Sequence, residues 1–559
     1  MLFHILFFKI RIFFKLSSEL NTKSIVKHVS SLIVFGGFAI GAFVFARVLT
    51  EYLLDRAHLG LFLLHRFLSM LLFVFFLSVN VGNMIVSYAT FYRSKETEYF
   101  LTKPISYLNV FIIKFLDNFF YSSTVLFIIV VSVLLGYGSY FQMSFQFYVQ
   151  TIVFQFIPFM LIAGCIAVMM LMVLMRIASR IGVWYLIGIL LVCYVGSLFV
   201  YFRSTNPMQL VETVMQNYPH VDQYLSYLDP PFIKFLPNHW VAESLYWTMR
   251  GNQSLATMHT LFTLSIAGVC FLSMVFTANK VFYTSWLSSL TLRRTSEAES
   301  SLFEPFSLIR PSRLEPQTSV LIRKEFWQFI REPSQWIHFG VIFLLVITFV
   351  VSVSKLTFET QLPFYLTASY LVLLIFNAFL IASIALRFVY PMMSIEGEGF
   401  WTMLSAPLHR AKIYLVKFYS ALLPLSVISL VLAMFSHWSL QDHPVLPLVA
   451  SVIMCCVAFA LVSLNLTAGA YFSNFREKNP IKVASSQSAT LTFLISIVYL
   501  TILVAVMYVP LHLYFFHALK GGEYHSQTLW FSVGAFVIVS MAISLISIVL
   551  GLKTLKRDF

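Results

Sequence analysis

The 559-residue chain is 59% hydrophobic and only 11% charged, and its mean hydropathy is +0.85. This composition excludes a soluble globular protein, in which apolar residues make up roughly 45–50% of the chain. The formal net charge is +14. Such a basic excess indicates nucleic-acid binding in a soluble protein, but in a membrane protein it is typical of cytosolic loops. We therefore predict contact with membrane lipid and none with nucleic acid.

The N-terminal segment joins an apolar run, residues 1–8, to the bases Lys9, Arg11 and Lys15. This order of charge is the reverse of that in a secretory signal, and no small-residue cleavage site follows, so we expect the segment to be retained. Because the run is too short to cross a bilayer, it predicts a helix at the inner membrane surface. A frayed hydrophobic terminus is the alternative.

Twelve apolar stretches are long enough for transmembrane helices, which need about 20 residues each. They form two sets of six, near residues 31–49, 66–89, 116–136, 150–175, 181–202 and 259–282, then 337–354, 365–386, 413–435, 447–471, 488–509 and 529–551. The sequence therefore predicts an all-α polytopic membrane protein of about twelve spans, arranged as two six-helix repeats.

Lysine and arginine are concentrated on one side of this arrangement. They cluster in both terminal segments, in the central segment 284–335 and in the loop 91–107. Three of the loops expected on the other side hold a single lysine between them: 137–149, 355–364 and 436–446. By the positive-inside rule, the chain is predicted to be a multi-pass plasma-membrane protein of the bacterial inner membrane, with both termini in the cytosol.

Residues 284–320 are polar and contain three prolines, which predicts an irregular cytosolic linker. The linker separates a first six-helix unit, residues 1–283, from a second, residues 321–559.

The loops after the second span of each unit share landmarks. Pro104 and Pro407 are each followed, ten residues later, by a lysine, Lys114 and Lys417. A constant offset between these positions supports a tandem duplication with parallel repeats.

The sequence lacks the Gly-rich loop that cradles ATP phosphates, G-x-x-x-x-G-K-[ST]. We therefore expect no enzymatic activity and no cofactor in this chain, and ATP hydrolysis in a separate subunit. An ion-coupled secondary transporter is an alternative, but such carriers keep ionisable side chains near the bilayer midplane. The predicted spans are almost free of them, and Asp117, close to Lys114, lies near the cytosolic end of the third span.

Two other kinds of chemistry have weak support. His437 and Asp442 have the spacing of an acyltransferase acid/base box, but they lie on the predicted outer side. The five cysteines lie in apolar runs, and the outer histidines lack tight ligand spacing, so neither a disulfide framework nor a metal site is predicted.

Two predicted cytosolic loops, residues 93–104 and 394–407, combine acidic residues with aromatic bulk and end in a proline. A short helix with an apolar centre ringed by charge is typical of a docking surface for a soluble partner. A segment lying among lipid headgroups is the alternative. Because the pattern occurs in equivalent places of both units, it favours docking to a two-fold partner.

With these loops the chain resembles the permease subunits of ABC-2 type exporters, the membrane half of ATP-binding-cassette transporters. Four passages carry the resemblance: SKETEYFLTKPIS at 94–106, LIRKEFWQFIREPSQW at 321–336, EGEGFWTMLSAPLHRAKIYLVKF at 396–418 and FREKNPIKVASS at 475–486. The resemblance implies that two copies of an ATPase subunit bind the first cytosolic loop of each unit.

The resemblance also implies roles for particular residues. ATPase coupling would fall on Glu98, Phe100, Pro104 and Lys114 in the first unit, and on Phe400, Trp401, Pro407 and Lys417 in the second. A connecting helix before the second unit would contain Lys324, Phe326, Trp327 and Arg331, with residues 9–15 as its looser counterpart. The chain departs from the family in fusing both units, so no homodimer is required, and in lacking a first-unit counterpart of Asn479-Pro480.

An outer loop also resembles a family segment. The apolar spacing of residues 236–247 predicts a helix on or dipping into the outer leaflet. Trp240 and Trp247 would belong to a gate for substrate exit or, alternatively, to a plain interfacial anchor, since tryptophan is enriched at that depth.

We therefore expect the membrane-spanning permease subunit of an ABC exporter, powered by ATP hydrolysed in a separate subunit. The alternatives are an ion-coupled secondary transporter, a membrane anchor that transports nothing, and the acyltransferase-like enzyme, which is the least favoured.

Overall fold

The computed structural model describes most of the chain: residues 22–56, 60–181, 183–205, 231–299, 315–330, 363–437, 445–475, 480–520 and 527–555, with a few single residues between these ranges. Within them every regular element is helical. The chain divides into two compact units. Unit 1 holds residues 1–19 and 35–305, and unit 2 holds residues 20–34 and 306–559.

The first half of the chain forms nine described helices. They are α1 Thr22–Glu51, α2 Gly60–Ser87, α3 Lys95–Leu101, α4 Tyr107–Tyr140, α5 Phe145–Thr151, α6 Ile157–Ile181, α7 Val183–Thr205, α8 Pro237–Met249 and α9 Gln253–Glu299. Single π-helical turns extend α1, α2 and α5, at Tyr52–Arg56, Tyr88–Tyr92 and Ile152–Phe156. A 3₁₀ turn, Pro231–Phe235, precedes α8.

The second half forms eight described helices. They are α10 Pro316–Ile330, α11 Pro363–Ile384, α12 Phe400–Ser405, α13 Arg410–Ser436, α14 Val445–Tyr471, α15 Pro480–Ala484, α16 Gln487–Lys520 and α17 Gln527–Thr554. A π turn, Ala385–Val389, and two 3₁₀ turns, Tyr390–Met392 and Ser394–Gly399, connect α11 to α12.

Among the described residues, 11 helical segments are long and apolar enough to cross a membrane. They coincide with eleven of the twelve predicted spans, and the remaining one, near residues 337–354, lies largely outside the described residues. The prediction of an all-α polytopic membrane protein is confirmed.

The helix of the sixth span is longer than predicted. α9 continues to Glu299, into a stretch that was expected to be irregular. Residues 284–299 contain neither glycine nor proline, and the first proline after them is Pro305, so the sequence has no signal that ends the helix earlier.

The core of unit 1 contains an aromatic stack where α2, α4 and α9 meet. The rings of Phe91 and Phe111 lie parallel with centroids 5.2 Å apart, and Phe282 packs 5.3 Å from Phe111. All three side chains are buried. The stack fixes the end of α2 from which the next loop starts.

The core of unit 2 surrounds α14. Val449, Ile453, Val457 and Leu461 are fully buried, as are residues on other faces of the same helix. A helix that is apolar on all sides is typical of a buried position in the bundle. α14 passes so close to the loop after α11 that Gly469 faces the carbonyl oxygen of Tyr390 without room for a side chain.

Candidate functional site

The loops after the second spans have related local structures in the two units. α2 ends in the π turn Tyr88–Tyr92 and leads into the short helix α3, and α11 ends in the π turn Ala385–Val389 and leads to α12. π turns inside helices are rare and frequently occur at functional sites. Each loop lies beside the lysine that the sequence landmarks singled out.

In unit 1, side-chain hydrogen bonds tie the loop to the helices around it. Thr97 of α3 is fully buried, and its hydroxyl donates to the carbonyl oxygen of Thr90 at 2.6 Å. The hydroxyl groups of Tyr92 and Ser285 are 2.9 Å apart, which joins the end of α2 to α9. The position of α3 is thus set by the spans on both sides.

Lys114 brings a buried positive charge from α4 to this loop. Its side chain is about 2% exposed, and its Nζ lies 2.6 Å from Glu96 Oε2. The same Nζ lies 5.5 Å from the centre of the Phe100 ring. A buried ammonium group is costly unless it is paired, so Glu96 keeps α3 against α4.

In unit 2, the equivalent lysine is part of a four-charge cluster, formed by Lys324, Glu325, Glu396 and Lys417. Lys417 Nζ of α13 donates to Glu325 Oε1 at 2.7 Å, to Glu396, and to the carbonyl oxygen of Met392 at 3.2 Å. Lys324 of α10 also pairs with both glutamates. The cluster joins three elements: α10, the loop after α11, and α13.

The four-charge cluster is electrically neutral, and three of its four side chains are buried, while Lys324 is 33% exposed. The side chain of Lys417 is 1% exposed, and those of Glu325 and Glu396 are 7% and 6% exposed. Two lysines and two glutamates alternate, so each charge has two opposite neighbours. Removing one partner from a buried pair leaves an uncompensated charge and costs about 3–5 kcal/mol. Replacing a single member of the cluster is therefore expected to destabilise unit 2.

The loop of unit 2 is also fixed by its backbone and by Phe400. Gly397 has a φ of +61°, a conformation that a residue with a side chain rarely adopts, and it turns the chain directly after Glu396. The Phe400 ring stacks on Phe475 with centroids 5.1 Å apart. The Ser394 hydroxyl accepts the N–H of Asn474 at 3.0 Å.

The structure separates the predicted site residues into buried and exposed groups. Lys114, Lys417 and Phe400 are buried, whereas Pro104, Pro407 and Trp401 are exposed, Trp401 to 68%. Phe100 and Glu98 are half-buried, as is Trp327, while Phe326 is exposed and Arg331 lies outside the described residues. The neighbours Phe400 and Trp401 thus point to the core and to the surface respectively.

Sequence reasoning missed the acidic partners Glu96, Glu325 and Glu396. The signal that could have found Glu96 and Glu396 is the lysine at the start of the third span's helix, ten residues after the loop proline. Such a lysine requires a nearby acid, and the glutamates of the preceding loop are the nearest in sequence.

The residues that were expected to form an outer-loop helix form α8, which packs into unit 1. Val241 is fully buried, and Trp240 is buried with its Nε1 donating to the carbonyl oxygen of Lys234 at 2.7 Å; Trp247 is half-buried. Asn238 Nδ2 donates to the Ser69 hydroxyl at 2.9 Å and also to the Tyr201 hydroxyl, so α8 is fixed to α2 and α7.

His437 follows α13 and lies inside unit 2. It is fully buried, its Nδ1 donates to the carbonyl oxygen of Ala433 at 3.0 Å, and its ring meets the Tyr370 ring at 4.6 Å. Asp442 lies outside the described residues. An enclosed imidazole of this kind is a structural side chain rather than an accessible base.

The buried imidazole predicts acid sensitivity. Burial lowers the pKa of His437 from 6.5 to about 4. The unfolded chain therefore binds a proton between these values that the folded chain does not, and stability is lost as the pH falls from 6.5 to 4, by about 3 kcal/mol. In thermal unfolding of the detergent-purified chain at pH 7 and pH 4.5, His437→Gln is expected to lose this part of the pH dependence. The exposed-site variant His409→Gln should keep it. An unchanged pH dependence in His437→Gln would contradict the assignment.

Comparison with known proteins gives one family. A family model described as "Putative ATP-binding cassette" matches residues 19–558. No curated protein and no solved structure matches significantly.

This match corrects four predictions made from the sequence. The identification as an ABC-2 permease is wrong, and so are the permease-only function, the absence of enzymatic activity and the separate ATPase partner in two copies. The reason is that the matching model is that of an ATP-binding cassette and covers residues 19–558 of this chain. Four short passages resembled a permease, whereas the family model matches nearly the whole length of the chain.

The residues present do not fit a nucleotide of the phosphate-loop type. Such a site needs a strand, a Gly-rich loop ending in Gly-Lys, and a helix. The described ranges contain helices and turns without a strand, and the sequence contains no Gly-Lys pair. No step of ATP hydrolysis can be assigned to the described residues.

Proposed function

We propose, because the chain belongs to the family described as "Putative ATP-binding cassette", that it is a membrane-spanning ABC transporter protein that moves a substrate across the plasma membrane with energy from ATP. The observation that carries this proposal is the pairing of a buried lysine with the preceding loop in both units, Lys114 with Glu96 and Lys417 with Glu396.

The paired lysines connect loop movement to span movement. Each lysine belongs to the helix that forms the third span of its unit, α4 or α13, and each glutamate belongs to the loop before it. Glu96 is 46% exposed and Glu396 6% exposed, but both lysines are buried. Since breaking either pair leaves a buried lysine without its counter-charge, which is costly, a displacement of the loop moves the helix with it. Each loop therefore moves with the following helix as one rigid body. ATP-driven transport requires such a connection between the loops and the spans.

Both loops, with both termini, lie on the cytosolic side in this proposal. The basic residues are concentrated in the same segments, as the positive-inside rule requires. ATP-driven movement acts on the exposed residues of each loop separately, on Pro104 in unit 1 and on Pro407 and Trp401, which is 68% exposed, in unit 2. Maleimide labelling of Tyr99→Cys and Trp401→Cys in intact cells should fail until the membrane is permeabilised, and Asn252→Cys should be labelled from outside.

Phe400 is buried and Trp401 is exposed, so replacing each of them separates an effect on stability from an effect on transport. Trp401→Ala is expected to leave the unfolding temperature within about 2 °C of the wild type, because exposed positions contribute less than about 0.5 kcal/mol. It should reduce ATP-dependent transport at least tenfold. Phe400→Ala removes a buried ring and should instead destabilise unit 2 by about 3–5 kcal/mol.

Transport can be measured while the substrate is still unidentified. Inverted membrane vesicles from cells with and without the chain are incubated with cell extract, with and without ATP, and their contents are compared by mass spectrometry. We expect at least one compound to accumulate only with the chain and ATP, and to be lost with Trp401→Ala. The proposal fails if no compound depends on both, or if Trp401→Ala accumulates as much as the wild type.

A further inference from the structure

Helix α10 has one buried and one exposed face. Leu321 and Glu325 are its buried residues, one turn apart. Val320, Arg323 and Phe326 lie on the exposed side. Leu321 and the half-buried Phe329, whose ring centre lies 6.0 Å from that of Phe388, supply apolar contacts to the bundle. The charged residues of the helix supply the rest of its attachment.

The charges that α10 contributes to the four-charge cluster cancel within the helix itself. Lys324 and Glu325 are adjacent, with Nζ and Oε1 3.2 Å apart. The remaining two members, Glu396 and Lys417, already pair with each other. The cluster therefore consists of two neutral pairs, one carried by α10 and one by the bundle.

Two neutral pairs separate at a lower cost in free energy than the two halves of one buried ion pair. When an ordinary buried ion pair separates, each side keeps an uncompensated charge, which costs several kcal/mol. When α10 leaves, both sides keep a complete pair, and Lys417 retains Glu396 and the carbonyl oxygen of Met392. Charge therefore opposes the separation much less than the number of ion pairs suggests.

We propose that α10 is a detachable clamp: a neutral Lys324-Glu325 pair docks the helix on the Glu396–Lys417 pair and can leave it without stranding a buried charge. The docked helix closes over the loop, since Lys324 Nζ also lies 3.5 Å from Met403 Sδ of α12. At the start of α10, Glu315 pairs with Lys412 at the surface, and Gln317 accepts a hydrogen bond from Lys412 at 3.0 Å.

The clamp is tested by the reactivity of a cysteine on its buried face. Leu321→Cys is introduced into a full-length chain whose five native cysteines are replaced by serine, and its labelling by a maleimide is timed in detergent. Lys324→Gln, Glu325→Gln and the double variant are compared, with Arg323→Gln on the exposed face as the control. The double variant should label at least tenfold faster than the parent, and Arg323→Gln at the parent rate.

Unfolding temperatures of the same variants distinguish a helix that can detach from the bundle from one that is permanently bound to it. Each single variant leaves the cluster with one uncompensated charge. Both single variants should therefore unfold at a lower temperature than the double variant, in which Glu396 and Lys417 remain paired. If one single variant cannot be purified, the other gives the same comparison. A double variant whose loss in unfolding temperature equals the sum of the single losses overturns the proposal, and so does a double variant in which the introduced cysteine stays as protected from the maleimide as in the parent.

Discussion

Lys417→Met is expected to lower the free energy of unfolding of unit 2 by about 3–5 kcal/mol. The variant keeps the length of the side chain but removes the charge that Glu325 and Glu396 share, and both carboxylates are less than one-tenth exposed. Lys324 is then the one remaining cation of the four-charge cluster. Thermal or denaturant unfolding of the detergent-purified chain measures the loss.

Lys412→Met is the matched control for this prediction. Lys412 also lies on α13 and also pairs with a glutamate, but its partner Glu315 is 74% exposed. An exposed pair contributes about 0–1 kcal/mol, so this variant should unfold close to the wild type. Equal losses in the two variants would show that the enclosure of the cluster does not matter.

Gly469→Ala should lower the free energy of unfolding of unit 2. A Cβ at this position of α14 would lie 2.0 Å from the carbonyl oxygen of Tyr390. Because the obstacle is backbone, it cannot move aside as a flexible side chain can. Overpacking of this kind costs about 1–3 kcal/mol and sometimes more, and here it would displace the turn that leads to Glu396. We expect a fall in unfolding temperature and in yield.

Gly534→Ala provides the comparison for this substitution. Gly534 lies within α17, and a Cβ there would meet no heavy atom within 4 Å. Alanine favours a helix over glycine by up to about 1 kcal/mol, so this variant should be as stable as the wild type or slightly more stable. If Gly469→Ala behaves in the same way, the close approach of α14 to Tyr390 is not a constraint.

The spans were predictable because long apolar runs leave few alternatives in a bilayer. The landmark spacing also identified Lys114 and Lys417, both of which are buried. The partner Glu325 could not be predicted from local pattern, because it is 92 residues from Lys417 in sequence. Only the folding of α10 against α13 brings them together.

Side-chain direction was a second limit of the sequence. Phe400 and Trp401 are adjacent aromatics in one docking pattern, and they were assigned one role. The stacking of Phe400 on Phe475 depends on where the segment before α15 lies, which no local rule specifies. The family assignment was limited in the same way, since four short passages carried it and the model that matches residues 19–558 corrected it.

Fluorescence at residue 405 tests the central claim most directly, namely that ATP drives movement of the loop held by the four-charge cluster. Ser405 is exposed at the end of α12 and is not among the residues assigned to coupling. Ser405→Cys is labelled with an environment-sensitive fluorophore in inverted membrane vesicles from cells that express the full chain, and Asn252→Cys on the other side is labelled as the control. We predict that ATP changes the emission at 405, that AMP does not, and that the emission at 252 stays constant. An emission at 405 that does not respond to ATP, or responds equally to AMP, would contradict the account.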